Sequence, residues 1–217
     1  MKVNFNKNTK PAPEKAPLPE VQVTVLAEGR NGLKAFATLR QDGMFYNGLR
    51  VFEGANGLYV QYPARDTGTT DEEGNKKYSS YYTPTKELRE ELNKKVLAAY
   101  YEAVGQTAEY EPAELELPAD AVRVTLCKEN TWGGLAFVRA TYKGMYLNDL
   151  LVKVSKTNDP YVVYPSRIRM KDGEEVIGDN GYKVRDPWYG AMSAEVRKEL
   201  DGMILAKVQE EYEKANA

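Results

Sequence analysis

The chain has 217 residues, 42% apolar and 29% charged, with a formal net charge of −2; this is the balance of a globular protein, with no overall basic field to announce a nucleic-acid partner. It contains no histidine and a single cysteine, Cys127, which removes the commonest general base, the commonest metal ligand and any internal disulfide framework. No apolar run approaches the roughly 20 residues of a membrane span.

Residues 1–20, MKVNFNKNTKPAPEKAPLPE, mix lysine with proline and lack the apolar core of a secretory signal, so they read as a flexible tail. Together with the lone cysteine this points to a cytoplasmic protein. Val21, Val23 and Val25 then alternate with Gln22 and Thr24, the period of a half-buried strand. Further strands are predicted around 33–40, 44–52 and 57–62, each bounded by Gly, Asn or Asp. Asp42-Gly43 is a two-residue hairpin signal. Leu88, Leu92, Val96, Ala99 and Tyr100 fall on one helical face, with Thr83-Pro84 as the start signal. Residues 106–120 carry five acidic side chains, no basic ones, and prolines, which predicts an extended linker. Fully extended, it spans about 50 Å.

Beyond the linker the chain repeats itself. Aligned from Val21 and Val122, 12 of 31 ungapped positions are identical. GMFYNGLRV (43–51) returns as GMYLNDLLV (144–152), with Leu151 in the place of Arg50. YVQYPAR (59–65) returns as YVVYPSR (161–167), and LREEL (88–92) as VRKEL (196–200). Lys143-Gly144 takes the hairpin position. Val196, Leu200, Met203, Ile204 and Val208 form the second helical face, started by Ser193 and weakened by about 1 kcal/mol at Gly202. The expected organisation is a tail (1–20), repeat one (21–105), linker (106–120) and repeat two (121–217). Each repeat is an antiparallel sheet followed by a helix that covers one face, an α+β unit.

In repeat one, GLKAFATL (32–39), Leu49-Arg50-Val51, EGANGLYVQYP (53–63) and the helix end Val96–Tyr100 resemble the SpoVG family, the stage V sporulation protein G or septation proteins. The resemblance covers about 80 residues of repeat one and is weaker in repeat two, where SKTNDPYVVYP (155–165) has lost the glycines. It implies a small antiparallel sheet with a C-terminal helix, working as a dimer, so that the two repeats would pack as an intramolecular pseudo-dimer. It also implies binding of DNA or RNA and a role in regulating gene expression, sporulation or septation. The family's basic position after the Tyr-Pro turn falls on Arg65 and Arg167, and its helix position on Arg89 and Arg197. A second basic position falls on Asp66 and Ile168 and is lost in both repeats.

The residues themselves offer a second source of cations. Arg167, Arg169 and Lys171 are spaced two apart; after the acidic turn DGEEVIGDNG (172–181) come Lys183 and Arg185, again two apart. Folded as a hairpin, all five would face one side beside Tyr182, Trp188 and Tyr189, able to meet phosphates and stack on bases. Such alternating charge also protects an exposed sheet edge. In repeat one, Arg65, Lys76 and Lys77 are diluted by Asp66, Asp71, Glu72 and Glu73. Totals argue for restraint: residues 21–105 hold 11 basic and 11 acidic side chains, residues 121–217 hold 15 and 14. Tyr78, Tyr81 and Tyr82 form either a protein-contact patch or ordinary packing between hairpin and sheet.

Two functions therefore stand. One is a nucleic-acid-binding regulator using Arg65, Arg89, Arg167, Arg169, Lys171, Lys183, Arg185 and Arg197. The other is a protein-interaction module of a septation pathway, using the tyrosines and the acidic linker. No enzyme is expected, since no carboxylate pair has a catalytic spacing and EGANGLY lacks the Walker lysine. No cofactor or metal is expected, and Cys127, equivalent to Leu26, is expected as a buried structural thiol.

Overall fold

The computed structural model describes residues 19–127 and 134–216, so most of the expected N-terminal tail lies outside the described residues. Its last two positions are anchored: the Pro19 carbonyl accepts a hydrogen bond from Arg40, and the Glu20 carboxylate lies 2.6 Å from the Lys95 ammonium.

The first half runs β1 (Val21–Val25), β2 (Leu33–Gln41), β3 (Met44–Gly54), β4 (Gly57–Gln61), β5 (Ala64–Thr70), β6 (Lys76–Ser80), β7 (Tyr82–Pro84) and α1 (Lys86–Ala103). The second runs β8 (Ala121–Leu126), β9 (Gly134–Tyr142), β10 (Met145–Val154), β11 (Pro160–Val163), β12 (Ser166–Ile168), β13 (Met170–Lys171), β14 (Glu174–Glu175), β15 (Arg185–Pro187), β16 (Tyr189–Ala191) and α2 (Ala194–Asn216). The fold is α+β, with antiparallel sheets and two helices, as the sequence pattern predicts.

Alternation sets the faces. Ala35, Ala37 and Leu39 of β2, and Ala136, Val138 and Ala140 of β9, point into the core, while Phe36 and Phe137 point out. The β2–β3 and β9–β10 turns close through Asp42-Gly43 (φ 51° and 74°) and Lys143-Gly144 (φ 46° and 76°), the left-handed pair that a type I′ hairpin needs. Helix α1 packs over β1, β4 and β7, and α2 over β8, β9, β11 and β16. Leu88, Leu92 and Val96, and Leu200, Ile204 and Val208, are the residues they bury. Ala98 rather than Ala99 completes the buried face of α1.

Two expectations change. Thr83-Pro84 does not begin α1: Tyr82–Pro84 is a strand and Thr85 is the N-cap, without a side-chain cap hydrogen bond. Tertiary pairing of β7 takes those residues before the chain can turn helical. Ser193 does behave as a cap, its Oγ accepting the Val196 N–H at 3.3 Å. Cys127 is half-buried rather than buried.

β7, from the first half, pairs with β10 of the second, and β16, from the second, pairs with β3 of the first. The registers match: Tyr82 opposes Leu147 and Pro84 opposes Met145, as Tyr189 opposes Tyr46 and Ala191 opposes Met44. Each of the two large sheets thus has five strands, one donated by the other half. The Thr85 N–H donates to the Gly144 carbonyl and the Met192 N–H to the Gly43 carbonyl, both at 2.8 Å.

The repeated Asn of GMFYNGLRV and GMYLNDLLV explains itself here. In both β3 and β10 a bulge inserts one residue, between Tyr46 and Leu49 and between Leu147 and Leu150. Gly48 (φ 80°) and Asp149 (φ 58°) take the left-handed position. The Asn47 N–H donates to the Trp188 carbonyl and its amide to Pro187; the Asn148 N–H donates to Tyr81 and its amide to Ser80. The Tyr82 hydroxyl donates to the Asn47 carbonyl at 2.8 Å and the Tyr189 hydroxyl to the Asn148 carbonyl at 2.7 Å. Tyr82 and Tyr189, both fully buried, meet edge to face at 6.0 Å.

Residues 106–120 carry neither helix nor strand. Tyr110 donates its hydroxyl to Glu91 at 2.5 Å, Leu117 packs against the core, and the Asp120 carboxylate accepts the Lys143 N–H at 2.6 Å.

Candidate nucleic-acid interface

The strand register of the hairpin in the second half divides its cations. Residues directly opposed across a ladder share a face. Arg167 opposes Asp186, whereas Arg185 opposes Ile168 on the reverse face. The expected single ribbon of Arg167, Arg169, Lys171, Lys183 and Arg185 is therefore corrected to two faces. Most of these cations are also engaged. Arg169 grips the Asp186 carboxylate through two guanidinium nitrogens, and those hydrogen bonds hold Asp186 below the usual carboxylate range against its partial desolvation. Lys183 pairs with Glu175 at 2.7 Å. Arg185 donates to the Ser166 carbonyl and hydroxyl. Lys171 is exposed, opposite Glu174. Arg167 lies with its guanidinium 4.9 Å from the Trp188 ring centre, a cation–π contact.

The helix arginines brace the Tyr-Pro turns. Arg89 reaches Thr83 Oγ1 at 2.7 Å and lies 5.8 Å from the Tyr62 ring centre. Arg197 pairs with Asp201 at 2.6 Å, donates to the Val162 carbonyl and stacks 4.1 Å from the Tyr164 ring centre. The tyrosine hydroxyls complete each brace, Tyr62 on Asn93 and Tyr164 on Asp201.

The tyrosine patch does not form. Tyr82 is fully buried, and Tyr81 stacks on Trp188 with ring centres 4.7 Å apart. Of the three, only Tyr78 is exposed. This is ordinary packing between hairpin and sheet, except that the packing partner lies in the other half.

The arginines after the Tyr-Pro turns are delivered across the molecule. Arg65 forms a two-nitrogen bond with Asp149, at 2.7 and 3.1 Å. It lines a groove on the outer face of the second half's sheet with Arg123, Phe137 and Arg139. Arg167 lines the corresponding groove on the first half's sheet with Phe36, Arg50 and Trp188. Each turn arginine thus serves the sheet of the opposite half.

These outer faces supply residues that sequence reasoning missed. Arg123, Arg139 and Phe137 are exposed, Phe137 at 61% and Phe36 at 41%. The signal was present: Arg123 and Arg139 have the outward parity of β8 and β9. Among the described residues no three His, Cys, Asp or Glu side chains group as a metal site, and no helix is long and apolar enough to cross a membrane.

The family model SpoVG matches residues 18–102. That span takes in β1 to β7 and nearly all of α1. No curated protein and no solved structure matches the chain.

Proposed function

We propose that this protein is a nucleic-acid-binding regulator of the sporulation or septation type, built as two SpoVG-like units closed on each other within one chain. The SpoVG match over residues 18–102 supports the regulatory class. The shared element order, the 12 identities and the reciprocal exchange of β7 and β16 support the second unit and the pseudo-dimer.

One observation carries the binding reading: Arg65 and Arg167 each lie over the outer sheet of the opposite half. Nucleic acid lying across these faces would meet cations from both units, so binding depends on the closed pseudo-dimer. Arg169, Lys171, Lys183 and Arg185 on the hairpin would extend the phosphate contacts, while Arg89 and Arg197 hold the turns that present Arg65 and Arg167. The protein works in this reading in the cytoplasm and without catalysis.

The test is a titration of the full chain with labelled DNA and RNA at low salt. Affinity should fall steeply as salt rises, because phosphate contacts release counterions. No binding at tens of micromolar protein would reject the proposal and favour the protein-interaction reading, which Tyr78 and the acidic residues 106–120 would then have to support.

A further inference from the structure

The outer face of the second half's sheet holds an arrangement that its own stability does not explain. Arg123 of β8 and Arg139 of β9 are directly opposed in register. Like charges facing each other across a ladder are destabilising. Neither arginine has a carboxylate partner among the described residues. The one acid that lines this groove, Asp149, is held by Arg65.

Aromatic side chains stand on both sides of the arginine pair. One row along the strands, about 6.6 Å away, Phe137 opposes Thr125. One row the other way, Tyr146 opposes Thr141. Both rings are on the exposed face, Phe137 at 61% and Tyr146 at 44%. Grooves join each ring to Arg123 and Arg139. The first half has the rings without the facing arginine pair: Gln22 opposes Thr38 at the matching positions, Thr38 donates to Asn47, and Gln22 accepts from Arg40.

We propose that this face is a binding platform for single-stranded nucleic acid, with Phe137 and Tyr146 stacking bases and Arg123 and Arg139 taking the phosphate between them. It rests on the nucleic-acid reading and narrows it to a strand class and a surface outside residues 18–102. A duplex keeps its bases stacked inside and offers nothing to the rings, whereas an unpaired strand offers both a ring face and a charge. Charge complementarity disfavours a second copy here, since it would bring four unpaired arginines together.

The test uses the full chain and fluorescein-labelled oligo-dT, oligo-rU and a mixed-sequence DNA duplex at about 50 mM salt, where phosphate contacts are strong. The wild type should bind the single strands more tightly than the duplex; the dT and rU arms tell DNA from RNA. The double variant Arg123→Gln, Arg139→Thr, which writes the first half's pair into the second, should lose about tenfold or more. Phe137→Leu should lose roughly five- to a hundredfold on single strands, the range of one base–aromatic stack, with circular dichroism unchanged. If the wild type binds and both variants bind equally well, or if the duplex is preferred, the platform is wrong and the nucleic-acid reading stands. If the wild type binds nothing, both fall. A concentration-dependent dimer that Phe137→Leu abolishes would also overturn the platform in favour of a second copy.

Discussion

The two halves of this chain share a skeleton and differ on their outer faces. Buried positions pair off: Met44 with Met145, Leu49 with Leu150, Val51 with Val152, Tyr82 with Tyr189. The divergence sits where solvent or the other half is met. Gln22 and Thr38 become Arg123 and Arg139, Arg50 becomes Leu151, and Gly48 becomes Asp149. In the two-unit reading proposed above, duplication within one chain would let two faces that are identical in a homodimer specialise, while the matching core keeps both under one packing constraint.

The largest test of this comparison is alkaline unfolding. Tyr46, Tyr62, Tyr82, Tyr189 and Tyr164 form one chain of ring contacts, 5.1 to 6.1 Å apart, that crosses from one half to the other. Burial raises all five phenol pKa values. Their neutral forms favour the fold, so that stability is whole below the ordinary tyrosine value of about 10 and is lost as pH climbs from there toward the raised values. Tyrosinate absorbance and near-ultraviolet circular dichroism should change together in one transition. Two separated transitions would mean the halves are independent.

Truncating the paired tyrosines comes next. Tyr82→Ala and Tyr189→Ala should each cost about 3–5 kcal/mol in denaturant melts, as for other large buried aromatics, with similar values from the two halves. A cost confined to one would break the equivalence.

The bulge residues should respond unequally. A Cβ at Gly48 would meet the Trp188 ring at 2.6 Å, and that ring is held in its stack with Tyr81. Gly48→Asp should cost about 1–3 kcal/mol through overpacking. Asp149 already takes the left-handed position that glycine accepts and gives up only a partly exposed ion pair with Arg65, so Asp149→Gly should stay within about 1 kcal/mol. Smallest of all, Arg169→Ala should leave the midpoint of the denaturant melt essentially where it is, because its pair with Asp186 is a surface contact.

Local chemistry made much of the fold readable. Asp42-Gly43 and Lys143-Gly144 mark hairpins because few residue pairs accept two left-handed positions, and the helix faces follow from burial at 3.6-residue spacing. The partners of Tyr81 and Tyr82 were hidden because β7 pairs with a strand more than sixty residues away, a choice no local pattern records. The hairpin misled for a related reason: spacing two apart fixes a face only when the register is known, and the register set Arg185 opposite Ile168. Arg123 and Arg139 were readable one at a time as outward residues; their being face to face appears only when β8 and β9 are aligned.

The salt dependence of single-strand binding, compared between the wild type and the Arg123→Gln, Arg139→Thr double variant, tests the account most directly. Each phosphate held by the protein contributes about −0.7 to the slope of log affinity against log salt on single strands. The slope of the variant should be shallower by roughly 0.7, as expected when the one phosphate between the arginines is no longer neutralised. Parallel lines with equal affinities would contradict a phosphate site at this arginine pair.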